Sequence, residues 1–320
     1  MGQQLQYKWA TNGGLVDGLK LVASTRPPNI FYVNWWLMNH CSWACSYCNE
    51  IIRKGNIDLP YLLDCKRFID EIVLFAAAQN KTASIDFTGG EVTEWSDFGE
   101  LLAYAHEQGC ETQFRTNANL GLIDWKLLLV SATRVLIEYH PEHTSAAHFL
   151  MAISAAHDAE VAIIINLNML KDSWIASEEL YNKIQSKWPT IRINKRMLFD
   201  DPVFNTTPKE YTKEQTVQLK RQHGDIKITV ADDVEYTDYQ TLVLEGKNVF
   251  KGYDCCAGLE QIVVDAWGRV YKGHCRQNGF MGNIKDKNVV WPKQAMTCTL
   301  DYCKNSFDIL ATKSIQLTKI

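Results

Sequence analysis

The chain has 320 residues, 46% of them hydrophobic and 22% charged, with 8 prolines and a formal net charge of -4. That is enough for one large domain and a smaller appendage around a full core, and the slightly negative balance gives no electrostatic reason for non-specific nucleic-acid binding. The opening MGQQLQYKWATNGG lacks the basic-then-apolar pattern of an export signal, and no run reaches the roughly 18 apolar residues of a membrane span, so the sequence reads as cytoplasmic with no membrane partner.

From residue 31 onward, strand-like and helix-like segments alternate. Residues 31–38 are aromatic and β-branched, which predicts a buried strand. Residues 62–78 place Leu62, Leu63, Phe68, Ile69, Ile72, Val73, Phe75 and Ala76 at helical spacing. A strand over 84–88 ends on the turn signal Gly89-Gly90. A helix over 98–106, a strand over 111–116, a helix over 125–130 and a strand over 134–139 follow, the last stopped by Pro141. A helix over 146–157, a strand over 161–167, a helix over 177–186 and a strand over 190–196 complete the series.

This alternation predicts an α/β fold of parallel strands joined by helical crossovers. Six units suggest a partial (β/α)6 barrel with its chemistry at the C-terminal strand ends, although an open doubly wound sheet gives the same string. The expected division is an N-terminal extension over 1–30, the partial barrel over 31–200, a polar connecting segment over 201–250 with one helix near 213–222, and a small C-terminal cysteine-rich hairpin and helix domain over 251–310. Its hairpin turns at Ala266-Trp267-Gly268.

Ten cysteines in a chain with no export signal are not explained by disulfides. Cys65 and Cys110 stand apart and read as core residues, since a free thiol packs as a small hydrophobe. The other eight fall into two clusters, Cys41, Cys45 and Cys48, and then Cys255, Cys256, Cys275, Cys298 and Cys303, a distribution typical of metal ligands in a reducing compartment. By spacing alone the first triplet allows three readings. Three thiolates can hold one face of a cuboidal four-iron cluster and leave one iron open; with His40 or Cys65 they can bind zinc; and positions i, i+4 and i+7 can pack along one helix face.

Cys41-x3-Cys45-x2-Cys48, with Tyr47 before the last cysteine and a strand in front, resembles the signature of the radical S-adenosylmethionine (SAM) superfamily. Thr88-Gly89-Gly90-Glu91, one β/α unit later, is similar to that family's second landmark. Its glycines let backbone carbonyls approach closely and its carboxylate favours an ammonium. The resemblance implies a four-iron cluster on the triplet whose open iron is chelated by SAM, with Tyr47 beside the adenine and Gly89, Gly90 and Glu91 at the SAM amino group. It further implies ribose contacts from the strand ends carrying Thr116, Asn117, Glu138 and Asn168; Glu138 stands where many relatives have serine. His140 is a candidate acid or base for a substrate, although a histidine at a strand end also serves as a structural hydrogen-bonder.

The C-terminal cysteines admit a zinc ribbon. The run Cys255-x-Ala257-Gly258, the hairpin and the later cysteines resemble the short auxiliary-cluster domain of the same superfamily, known as Twitch. That resemblance implies a second four-iron cluster on Cys255, Cys275, Cys298 and Cys303, with Cys256 as the intervening residue and a final spacing wider than usual. Function then reads as hydrogen abstraction from a small polar substrate, a net oxidation assisted by the auxiliary cluster, with an external electron donor of flavodoxin or ferredoxin type. The alternatives are a peptide-modifying enzyme, a nucleoside- or nucleotide-modifying enzyme, and a zinc-stabilised binding protein.

Overall fold

The computed structural model describes residues 18–119, 121–199, 210–220, 222–230, 232–286, 289–303 and 305–317. Two sheets organise them. The larger is built on six parallel strands, β2 (Ile30–Met38), β3 (Thr82–Gly89), β4 (Glu111–Thr116), β5 (Arg134–Tyr139), β6 (Ala162–Asn168) and β7 (Arg192–Arg196), lying side by side in sequence order. Between them come α1 (Leu62–Ala77), α2 (Phe98–Glu107), α3 (Leu122–Leu129), α4 (Ala146–Asp158) and α5 (Trp174–Lys187). A doubly wound sheet reverses its strand order at a switch point, and these six strands do not.

Residue alternation gives the sheet two different faces. Phe31, Val33, Trp35 and Leu37 of β2, Ile85 and Phe87 of β3, Phe114 of β4 and Ile137 of β5 enter the main core with Phe68, Phe98, Trp125 and Phe149 of the helices. Edge-to-face ring contacts run through that core from Trp35–Phe68 to Phe87–Phe98, Phe98–Phe114 and Phe114–Trp125, with centroids 5.5–5.9 Å apart. Cys65 and Cys110 are buried in the same core, as expected of them. The opposite face carries Asn34, Asp86, Arg115, Glu138, Asn166 and Asn194 among its polar residues, with at least one in each of the six strands.

Three features depart from the sequence reading. The hairpin β11 (Gln261–Val264) and β12 (Arg269–Tyr271) is not apart from the main sheet: β11 pairs in parallel with β2, and β13 (Gly282–Asn283) adds the outer edge. Residues 18–24 form strand β1 (Gly18–Ser24). Beyond α6 (Lys213–Leu219), the region read as a polar connection contains β8 (Ile226–Val230), β9 (Asp233–Thr237) and α7 (Tyr239–Leu244). With β10 (Asp254–Cys255), β14 (Met296–Thr297) and β15 (Lys313–Leu317), which follows α8 (Ser306–Ile309), these strands form the second sheet in the order β14-β10-β15-β1-β8-β9. No helix among the described residues is long and apolar enough to cross a membrane.

Candidate functional site

The first cysteine loop leaves the end of β2 and lies across the C-terminal ends of its neighbours. On one side, Ser42 N–H donates to both Glu94 carboxylate oxygens (3.0 and 3.1 Å) and His40 Nε2 sits 3.2 Å from Glu94, which belongs to the turn after β3. On the other, Ser46 donates through its N–H (2.7 Å) and its hydroxyl to Glu142, in the turn after β5. Trp43 stacks on His143 at 5.3 Å, and Tyr47 stacks on His140 at 5.9 Å and 7°. Asn117, at the end of β4, lies below the loop with its Nδ2 4.0 Å from Cys41 Sγ. The loop is thus held at both ends by carboxylates from turns on either side of β4.

Cys45 is buried, while Cys41 and Cys48 are half-buried. Burial pushes Cys41 up to about 12 and Cys48 up to about 11, and burial also raises Cys45. Metal-free, these are thiols, so loading a metal must release protons. Of the residues that a zinc reading would add, Cys65 lies in α1 within the main core and His40 pairs with Glu94. Ligand atoms of Cys45, Glu142 and His143 do lie within 4.8 Å of one another, but that group uses one cysteine of the triplet.

His140 is committed to the loop. Its Nδ1 is 2.8 Å from Tyr47 Oη and 3.4 Å from Cys45 Sγ, and its Nε2 is 3.8 Å from Glu138. Burial lowers its pKa, against the opposing pull of Glu138. These contacts describe a residue that positions Tyr47 and Cys45.

At the end of β3 the chain passes close against the backbone that follows β2. Gly90 N–H donates to Met38 O (2.8 Å) and Glu91 N–H to His40 O (2.7 Å). Gly89 has φ +127, open to glycine and strained for other residues. The Glu91 side chain is buried and already engaged: it accepts from Asn117 N–H (2.7 Å), Thr93 Oγ1 (2.7 Å) and Thr93 N–H (3.3 Å). It ties the turn after β3 to the end of β4, where Thr116 Oγ1 in turn accepts from Ala118 N–H at 3.0 Å.

Burial pushes the Glu91 carboxyl from 4.5 up to about 7, against the lowering effect of those hydrogen bonds. A carboxyl raised in the folded state contributes its stability below the unfolded value, and the contribution is lost as pH rises through the folded one. At 1.36 kcal/mol per pH unit the loss is about 3 kcal/mol between about pH 4.5 and 7. Subtracting the melting-temperature profile of metal-free Glu91→Gln from that of the wild type should therefore leave a fall across this window. A flat difference would show that burial does not govern Glu91.

The polar face of the sheet forms a continuous belt. Arg115 donates to Asp86 through Nε (3.0 Å) and Nη2 (2.6 Å), and Asn34 Nδ2 donates to Asp86 at 3.0 Å. Asn34 Oδ1 is 3.0 Å from His274 Nε2, next to Cys275. In the other direction Glu138 Oε1 accepts from Arg196 (2.8 Å) and Asn166 (3.1 Å), with Arg115 Nη1 4.0 Å away, and Asn194 Nδ2 donates to Asn166 at 2.8 Å. Burial alone would raise the Glu138 carboxyl, but Arg196, His140 and Arg115 together hold it below the usual carboxylate range. The belt thus links the first cysteine loop, through His140 and Glu138, to the second cysteine group, through Asn34 and His274. Asn168, one of the expected ribose contacts, is buried with Nδ2 on Tyr139 O (3.0 Å), while Asn166 joins the belt. Asn34, Asp86, Arg196 and His274 were missed by sequence reasoning; the first two could have been found as lone polar residues inside apolar strands.

The second group converges from three loops and a strand. Cys255 lies in β10, Cys275 follows β12 with its N–H on Asp308 Oδ2 (2.7 Å), and Cys298 follows β14 with its N–H on Tyr253 O (2.7 Å). Cys303 donates its N–H to Asn248 O at 2.8 Å. Gln277 Nε2 is 3.4 Å from Cys298 Sγ and 4.0 Å from Cys275 Sγ. Burial pushes Cys275 up to about 12 and raises Cys255 and Cys303, and each of these thiols also senses others of the group. Cys256, the next residue along, senses Glu260 and Lys81 in addition to Cys255. Every cysteine is a free thiol.

No protein-family profile and no curated protein matches the chain. Among solved structures, native anSMEcpe with bound AdoMet is similar in fold, with 14% identity, a TM-score of 0.50, and coverage of 81% of this chain and 79% of that one. A structure of anSMEcpe with bound AdoMet and Cp18Cys peptide aligns at 15% identity, TM-score 0.49, over 81% and 78% of the two chains. SuiB from Streptococcus suis aligns at 12% identity, TM-score 0.43, over 83% and 66%. At these identities the likeness is one of fold.

Proposed function

We propose that this chain is a radical SAM enzyme, with Cys41, Cys45 and Cys48 holding the SAM-cleaving iron–sulfur cluster. The observation that carries this reading is the placement of three free thiols over the ends of parallel strands, against the Gly89-Gly90 turn, in a fold shared with an AdoMet-bound protein. Three thiolates leave one iron without a protein ligand. A cluster bound there supplies the electron that cleaves SAM into methionine and a 5′-deoxyadenosyl radical. The chain's own part is to orient and to exclude water: Tyr47 lines the loop, the Gly89–Glu91 turn offers backbone to the SAM amino group, and Thr116, Asn117, Glu138 and Asn168 border the ribose. The sequential strand order supports reading the sheet as a partial (β/α)6 barrel, with residues 251–310 as its auxiliary-cluster region.

Cys255, Cys275, Cys298 and Cys303 fit a second four-iron cluster, since four thiols close it completely and suit it to electron transfer. The belt between the two groups is polar and carries paired charges, which favours a small hydroxylated substrate, and an auxiliary cluster able to accept an electron favours its net oxidation. Anaerobically prepared protein should contain about eight irons per chain and, once reduced, release 5′-deoxyadenosine from SAM. Cys303→Ala should lose about half of that iron, whereas Cys256→Ala should keep it. A colourless zinc protein would overturn the reading, and equal iron loss in both variants would overturn the second ligand set.

A further inference from the structure

Lys313 is the most deeply buried charged side chain among the described residues, at 1% exposure. Its Nζ donates to the backbone carbonyls of Asp308 (2.6 Å), Ala311 (2.8 Å) and Ile309 (3.1 Å), at the end of α8. A neutral amide can cap helix carbonyls without the several kcal/mol that burying an ammonium costs. Among the described residues, no carboxylate reaches Lys313 as an ion pair. In the β10–β15 ladder Lys313 stands directly opposite Cys255, and its Nζ also lies 5.1 Å from the centre of the Phe250 ring.

A counter-charge is built into the same turn, since Asp308 also gives Lys313 one of its carbonyl partners. Asp308 is 4% exposed, and its carboxylate accepts from His274 N–H (2.8 Å) and Cys275 N–H (2.7 Å). The chain passes so close that a Cβ on Gly273 would lie 2.8 Å from Asp308 Oδ1. Reduction adds one negative charge to an iron–sulfur centre, and its potential follows the net charge and hydrogen bonding around the sulfurs. A buried ammonium on the residue opposite Cys255 stabilises the reduced state, and a buried carboxylate held on the Cys275 N–H opposes it.

We propose that Lys313 raises the reduction potential of the cluster held by Cys255, Cys275, Cys298 and Cys303, so that this site accepts electrons, with Asp308 as the opposing charge. This rests on the second-cluster reading above. Both are positioning residues that act through the cysteines.

The test uses full-length protein carrying Cys41→Ala, Cys45→Ala and Cys48→Ala, so that only the second site is loaded, titrated with dithionite and followed by electron paramagnetic resonance. Lys313→Gln should make the cluster harder to reduce, about tenfold in the reduction equilibrium, which is ~59 mV for one electron. Asp308→Asn should shift it the opposite way, and Lys313→Arg should keep the wild-type midpoint. Unchanged midpoints with about four irons retained, or shifts of the same sign in the Gln and Asn variants, overturn the proposal. If Lys313→Gln does not fold, the opposed predictions for Asp308→Asn and Lys313→Arg still decide it. Zinc, or no iron, in the triple-alanine background overturns the second-cluster reading itself and this inference with it.

Discussion

Cys45→Ala should abolish 5′-deoxyadenosine formation by the reduced protein and lower its iron from about eight to about four per chain. Cys45 is the central and most buried thiol of its loop, 3% exposed, with its carbonyl accepting from Cys48 N–H at 3.1 Å. Without it, Cys41 and Cys48 are the remaining cysteines of the triplet, and a cuboidal cluster loses one of three anchors. The fold should tolerate the change. Cys45 packs in a small satellite cluster with Tyr47 and Leu198, away from the main core, and the loop remains attached through Glu94 and Glu142. Cys65→Ala supplies the contrast. It removes an equally buried sulfur from the main core and should cost about 1 kcal/mol of stability with iron and SAM cleavage intact. Cleavage surviving in Cys45→Ala would remove the triplet as the reacting site.

The parallel sheet was legible because four of its strands, β2, β3, β5 and β6, carry apolar runs and alternate with helical segments. β4 and β5 fall on the predicted residues, and the other four strands differ from prediction by one or two residues at an end. The second sheet was not legible, for a physical reason. Its strands are short and carry lysines and acids between their apolar positions, as in Ile226-Lys227-Ile228 of β8 and Lys313-Ser314-Ile315 of β15. Each is stabilised by distant partners: β1 pairs with β15 across nearly the whole chain. Local propensity carries no record of such pairing. The same limit hid the alliance of β11 with β2, because a hairpin signal reports its own two strands and not the sheet they join.

At the site, sequence identified residues that lie together, and the structure adds the partners that some of them hold. Glu91 is adjacent to the landmark glycines, as expected, yet its carboxylate is satisfied by Asn117 and Thr93. His140 holds Tyr47 and Cys45. The polar belt left a faint trace in the sequence: Asn34 between Val33 and Trp35, Asp86 between Ile85 and Phe87, and Glu138 between Ile137 and Tyr139. A polar residue set between apolar neighbours in these strands marks the face turned from the helices. Strand register, which aligns Asn34 with Asp86 and Glu138 with Asn166, turns those isolated residues into a network.

Gly90→Ala should be as damaging as loss of a cysteine, by a different route. A Cβ on Gly90 would lie 1.8 Å from His40 O and 2.5 Å from His40 C, inside the backbone that leads into Cys41. No rotamer change relieves a clash with main chain. Either the Gly90–Met38 and Glu91–His40 hydrogen bonds break or residues 38–41 move outward. Overpacking against backbone of this kind costs about 3 kcal/mol or more, and the displacement falls on the cysteine loop. The expected phenotype is a lower melting temperature, selective loss of the first site's iron with about four irons kept at the second, and no SAM cleavage. Gly99→Ala in α2 is the control. Its Cβ would meet only Leu128 Cδ2 at 3.5 Å, so alanine should be neutral or gain up to about 1 kcal/mol of helix propensity. Full iron and normal melting in Gly90→Ala would mean that the close approach of β2 and β3 does not hold the loop, and the site would need another support.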